Sequence, residues 1–199
     1  MKLYSAKASP FGRKVRVVII ELGLAGRVET REQMPRDNST GYWSINPLAK
    51  VPALQTDDGT VLYDSPVIVE FLNASANGSL IPAKGPERWD ALRREAMGDG
   101  VIETAQLLRA ELTRARELQS QELIDRQRAT VNRTLDAAEK DPTLSQLAQP
   151  DVGAIAIGCA LCWLDFRFPD WNWRPSRPRL AAWLQAIEQR PSFQSTRPD

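Results

Sequence analysis

The chain has 199 residues, with 26 Lys and Arg against 25 Asp and Glu for a net charge of +1, a balance that gives no electrostatic case for a nucleic-acid partner. It contains no histidine, which excludes a Ser-His-Asp triad and any imidazole-ligated metal. Its start lacks an apolar signal core, and no apolar run approaches the roughly 20 residues that cross a bilayer. The expectation is a soluble, cytoplasmic protein with no membrane partner, long enough to bury a core without disulfides and divided into two small domains.

In chain order, Lys2 to Ser5 reads as a short strand. A helix follows from Pro10 to about Leu22, with Val15, Val18, Ile19 and Leu22 on one stripe and Gly23 to end it. Arg27 to Gln33 is strand-like. After a loop containing Pro, Asn and Gly, Val51 to Thr56 and Thr60 to Tyr63 flank Asp57-Asp58-Gly59 as a hairpin. Ser65 opens a second helix carrying Val67, Ile68, Phe71 and Leu72. This order, strand-helix-strand and then hairpin and helix, is that of a thioredoxin-like domain with a right-handed crossover. Asn77 to Pro86 has the Gly and Pro content of a linker. Beyond it strand signals stop, and helices are predicted over Glu87 to Leu118, Gln121 to Lys140, Asp151 to about Phe166, and Pro178 to Gln189. The domains are therefore drawn at 1–76, 77–86 as linker, and 87–199, with no internal repeat.

Two features have ordinary readings. Acids four residues before arginines, as in Asp90 with Arg94 and Glu122 with Arg126, suggest a solvated helix face. Cys159 and Cys162 form a C-x-x-C, yet they lie inside Ile155 to Leu164, an apolar stretch that reads as a buried helix; core packing is expected rather than redox chemistry.

Three motifs point to chemistry. In Ser9-Pro10-Phe11-Gly12-Arg13, Ser followed by Pro is a favoured pair for the first positions of a helix, so the hydroxyl stands at a helix N-terminus. In Asn46-Pro47-Leu48-Ala49-Lys50-Val51-Pro52-Ala53-Leu54, a proline interrupts a strand, which is tolerated at an edge, a bulge or a cis bond. Asp64-Ser65-Pro66 opens the next helix with oxygens and backbone N–H groups suited to an anion. Together, in this order and spacing, they resemble the glutathione S-transferase family, in particular its bacterial and plant members with a Ser-Pro-Phe start. The resemblance covers nearly the whole chain.

What the resemblance implies is specific. Ser9 would stabilise the glutathione thiolate, standing where thioredoxin-like redox proteins carry a cysteine. Pro52 would be cis, turning the Val51 N–H and C=O outward to pair with the cysteinyl part of glutathione. Lys50 would reach the glycyl carboxylate, Ser65 would hold the γ-glutamyl carboxylate, Asp64 would favour the α-amino group, and Phe11 would be a further glutathione-binding residue. Phe11, Leu107, Leu108 and Trp163 are candidates for an electrophile pocket, although apolar residues at helical spacing are more often core. Tyr4 is the competing hydroxyl and is read as structural; Arg13 either supports the site or faces solvent. Asp151-Val152-Gly153-Ala154 occupies the place of a family capping box, but Ala154 cannot reach back to the chain. Glutathione is a co-substrate, no metal or other cofactor is implied, and a homodimer is expected. The alternatives are a glutathione-dependent reductase or peroxidase, and a regulatory protein on the same scaffold.

Energies support Ser9. Lowering a thiol from about 8.5 to mostly thiolate at neutral pH takes roughly 2.7 kcal/mol. A helix end typically gives about 0.3 to 1 kcal/mol, and a hydrogen bond to a charged group about 1.5 to 3.

Overall fold

A computed structural model of the protein describes residues 1–144 and 149–198. Four strands, β1 (Lys2–Ser5), β2 (Glu29–Glu32), β3 (Ala53–Gln55) and β4 (Val61–Leu62), form one sheet in the order β2-β1-β3-β4. β1 is parallel to β2 and antiparallel to β3, so Leu3 lies opposite both Thr30 and Leu54. α1 (Pro10–Glu21) makes the crossover between the parallel pair, and α3 (Ser65–Ser75) packs beside it. The β3–β4 turn places Gly59 at φ 89°, a conformation that a Cβ would strain.

The strands are shorter than their extended sequence suggests, because pairing with β1 begins only at Ala53. Val51 and Pro52 precede the ladder. Within the segment read as loop lies a one-turn helix, α2 (Tyr42–Ile45), too short to show a helical period.

The helical half comprises α4 (Pro86–Leu112), α5 (Gln121–Lys140), α6 (Val152–Arg167), α7 (Pro178–Ile187) and α8 (Pro191–Gln194). The single helix expected over 87–118 in fact stops at Leu112, and Arg116–Leu118 is a separate 3-10 turn. Side chains close the corner. Gln119 Nε2 donates to the Leu112 and Arg114 carbonyls, and Glu111 accepts the Ser120 N–H at 2.6 Å, satisfying groups that a helix end leaves open.

α6 is the core of this half, with every residue from Val152 to Leu164 buried. It lies against α4 at glycine distance: a Cβ on Gly153 would sit 2.4 Å from Arg94 Cβ, and one on Gly98 would sit 2.5 Å from the Ala156 carbonyl carbon. Cys159 and Cys162 are buried, unbridged thiols on this helix, pushed by burial up to about 11 and about 12 respectively. Core packing is their role. Leu108 and Trp163 are core as well, whereas Leu107 is exposed.

Arg94 overturns the solvated-face reading. Its side chain is 3 % exposed and pairs with Asp151, with Thr143 Oγ1 accepting a second bond at 2.6 Å; Asp90 instead faces Arg93 at 3.7 Å. The same Asp151 caps α6, accepting the Ala154 N–H at 2.8 Å. A guanidinium from α4 thus braces the cap whose reciprocal side chain Ala154 cannot supply.

No helix among the described residues is long and apolar enough to cross a membrane.

Candidate active site

A cleft of about 350 Å³ opens between the sheet domain and α4. One wall is built by Phe11, Lys50, Val51, Pro52, Asp64 and Ser65, and the other by α4 residues including Asp99 and Glu103. The first wall gathers residues from three separate stretches of sequence. Each is placed by a local device.

The Val51–Pro52 peptide bond is cis. Just before it, the Lys50 carbonyl accepts the Tyr42 hydroxyl at 2.6 Å and Asn46 Nδ2 at 2.7 Å, while Asn46 Oδ1 takes the Leu48 N–H at 3.1 Å. Asn46 is 1 % exposed. It and Tyr42 therefore hold the segment that presents Lys50 and Val51, and the Lys50 side chain is left exposed. Burial pushes the Tyr42 hydroxyl up to about 12, so it remains a neutral donor at physiological pH. No hydrogen bond occupies the Val51 N–H or C=O among the described residues.

Asp64, not Ser65, is the N-cap of α3, and its side chain makes no capping bond. Ser65 is the first helical residue, buried in the opening turn. The carboxylate is thus exposed beside a helix end whose first N–H groups have no intrahelical partner. The Tyr63–Asp64 bond is also cis.

Ser9 is the N-cap of α1, with its Oγ accepting the Gly12 N–H at 3.1 Å. It does not line the cleft as Phe11 does. Capping leaves its O–H proton available, because a hydroxyl both accepts and donates. The nearby hydroxyls are engaged: Ser5 Oγ is buried, accepts from Arg16 at 2.8 Å and donates to the Ala6 carbonyl, and Tyr4 Oη reaches Gln55 at 3.4 Å. Gly12 is required here, since a Cβ would fall 2.2 Å from Ser5 Oγ. Arg16 also donates to the Ala6 and Lys7 carbonyls, clamping the loop that carries Ser9.

Arg13 takes neither of the roles considered for it. It is 2 % exposed, donates to the Phe193 carbonyl at 3.0 Å and stacks over the Phe193 ring, joining α1 to α8. The neighbouring Lys14, wholly buried, bonds Glu95 at 2.9 Å and Asp99 at 2.6 Å on α4. Sequence reasoning missed this cluster and Asn46 alike. Lys14 does lie next to the apolar stripe of α1, which is the one signal that it turns inward.

A thioredoxin-like domain with a helical domain against it, and a cleft between them presenting a cis-proline segment and a helix N-terminus, is the architecture of the glutathione S-transferases. Family models agree: the glutathione S-transferase N-terminal domain matches residues 3–80, and the C-terminal domain matches residues 121–186. The chain is 32% identical over 202 residues to the uncharacterized GST-like protein YibF of Escherichia coli K12, covering 100% of this chain and 98% of that one. Among solved structures, a glutathione transferase family member from Pseudomonas fluorescens Pf-5 with bound glutathione superposes with a TM-score of 0.93 at 40% identity, covering 100% of this chain and 98% of that one. A second structure of a family member from that organism, with TM-score 0.91, 40% identity and full coverage of both chains, holds S-(propanoic acid)-glutathione. This chain belongs to the glutathione S-transferase family.

Proposed function

We propose that the protein is a glutathione transferase that joins the glutathione sulfur to a small electrophile with an apolar body, acting as a cytoplasmic homodimer in detoxification. The observation that carries this reading is the convergence of Lys50, Val51, Asp64 and Ser65 on one cleft wall. These supply a cation, an unpaired stretch of backbone, a carboxylate and a helix N-terminus, which answer in turn to the carboxylate, peptide, amine and second carboxylate of glutathione. Binding of glutathione by the similar Pseudomonas protein supports it.

In this mechanism the Ser9 O–H donates to the thiolate while its lone pair continues to cap α1. The sulfur lone pair forms a C–S bond with the electrophilic carbon, and the displaced electron pair leaves with the departing group. Both cysteines are buried in α6 with raised pKa values, so neither offers the reactive thiol that a reductase or peroxidase would use. Val67 on α3 and Trp89 on α4 are exposed apolar side chains of the kind that self-association would cover. Calorimetric titration with glutathione tests the reading. Saturable binding that weakens about tenfold in Asp64→Ala and in Ser65→Ala is expected; absence of binding to the unaltered protein would overturn it.

A further inference from the structure

α4 and α6 run side by side in the same direction. Gly98 abuts Ala156 and Ile157, and Gly153 abuts Ala91 and Arg94, so along this seam an α4 residue faces one roughly 58 to 62 positions later in α6. Followed about three turns beyond Gly98, this register brings Arg109, in the last turn of α4, beside Arg167, the last residue of α6. Neither guanidinium has a hydrogen-bond or ion-pair partner among the described residues. Arg167 lies 4.2 Å over the Phe166 ring, with its Nε buried and unbonded. Burial and the charge of Arg109 hold the Arg167 pKa below its ordinary value, as expected for two cations crowded together without a counter-ion. The nearest acids in sequence are committed elsewhere, Asp165 to Arg174 and Trp173, and Glu111 to Arg114 and the Ser120 N–H.

Helix dipoles account for part of this. Each helix C-terminus carries about −0.5 of an elementary charge, so the two parallel ends offset about one of the two positive charges. About one remains, the complement of a single carboxylate.

The position of the pair relative to the cleft follows from α1. Lys14 bonds Glu95 and Asp99, while Phe11, nearly one turn closer to the start of α1, shares the cleft with Asp99 and Glu103. α1 therefore runs against α4, and its first turn, with Ser9, points toward the end of the bundle where the arginines stand. Arg109 is six residues past Glu103, about 9 Å along the helix axis. Leu107 and Phe166 add exposed apolar surface at this end.

We propose that Arg109 and Arg167 form a carboxylate subsite for the electrophile, so that the preferred substrates are small organic acids whose reactive carbon lies several bonds from the carboxylate. This rests on the reading of the cleft as a glutathione site. The test uses pairs of S-alkylglutathiones and S-(ω-carboxyalkyl)glutathiones of equal length, from two to six carbons, titrated against the unaltered protein and the Arg109→Gln and Arg167→Gln variants. At one length or more the acid should bind at least tenfold more tightly than its alkyl counterpart. Each variant should lose most of that preference and keep its affinity for the alkyl conjugate, which also reports an intact fold. If glutathione and every conjugate fail to bind, both readings fall. If glutathione binds but no acid is preferred, or the preference survives in both variants, the carboxylate subsite falls and the glutathione site stands.

Discussion

Replacing Lys14 by Met would test the physical account of how the two cleft walls are held together. The ammonium is wholly buried, 2.9 Å from Glu95 and 2.6 Å from Asp99, and at an effective dielectric constant of about 20 each pair is worth about 6 kcal/mol of gross attraction. Desolvation offsets much of that. Removing one member of a buried cluster leaves uncompensated charge and costs about 3 to 5 kcal/mol, which for a chain of this size lowers Tm by roughly 6 to 20 °C. The pH dependence supplies the sharper test. Burial, outweighing the attraction of Lys14, already holds the Glu95 and Asp99 carboxyls above their usual values. Without the cation they move higher still, so the folded variant binds more protons than the unfolded chain above pH 4 to 5, and its stability falls as pH rises. Thermal unfolding of Lys14→Met should therefore show its largest deficit near pH 8 and a smaller one near pH 5. The neutral triple variant Lys14→Met/Glu95→Gln/Asp99→Asn should show no such trend. Equal Tm at pH 8, or a Lys14→Met deficit that grows on acidification, would refute the reasoning.

Ser9→Ala should raise the thiol pKa of bound glutathione by roughly one to two units, from loss of a hydrogen bond worth about 1.5 to 3 kcal/mol, and slow conjugation at neutral pH by about three- to 25-fold as the thiolate fraction falls; thiolate absorbance against pH reads this directly, and binding affinity should barely change. Hydrogen bonds from Arg190 and Ser192 hold the Glu21 carboxyl below its ordinary value. Its contribution, about 1 kcal/mol for a partly exposed pair, is present above the unfolded pKa and lost as pH falls through the folded one, so urea unfolding should separate Glu21→Gln from the parent at pH 7, with the difference shrinking as pH falls below the ordinary glutamate range. Cys159 and Cys162, pushed up to about 11 and about 12, should resist a maleimide at pH 8 until denaturant is added; rapid labelling of the native protein would contradict their burial.

Periodicity made the long helices legible, and their burial followed from their apolar stripes. The motifs at Ser9-Pro10-Phe11, Val51-Pro52 and Asp64-Ser65 are each a local backbone device, and Phe11, Val51, Pro52, Asp64 and Ser65 from them line one wall of the cleft. What stayed hidden depends on distant partners. Arg94 looked solvated because the rule of four sees only Asp90, while its true partner, Asp151, is 57 residues away. Lys14 carries no sign of its two carboxylates, which lie across the domain interface. Asn46 read as part of a motif, yet its work is to hold the Lys50 carbonyl, a role set by a loop that has no period to read. The extent of α4 was overestimated because Thr113 to Leu118 suits a helix locally, and the corner is imposed by Glu111 and Gln119 reaching across it.

The bond between Arg13 and the Phe193 carbonyl spans 180 positions of sequence. On the ribosome, the sheet domain is made first, and its first helix emerges with a guanidinium meant for the interior and nothing to receive it. That charge must stay wet until the segment carrying Phe193 and Thr196 has left the exit tunnel. The docking of α1 against the last helix therefore depends on residues synthesised long after it. A truncation that removes α8 would strand Arg13 rather than simply shorten the protein, and the damage would appear at the opposite end of the chain, in the helix that carries Ser9.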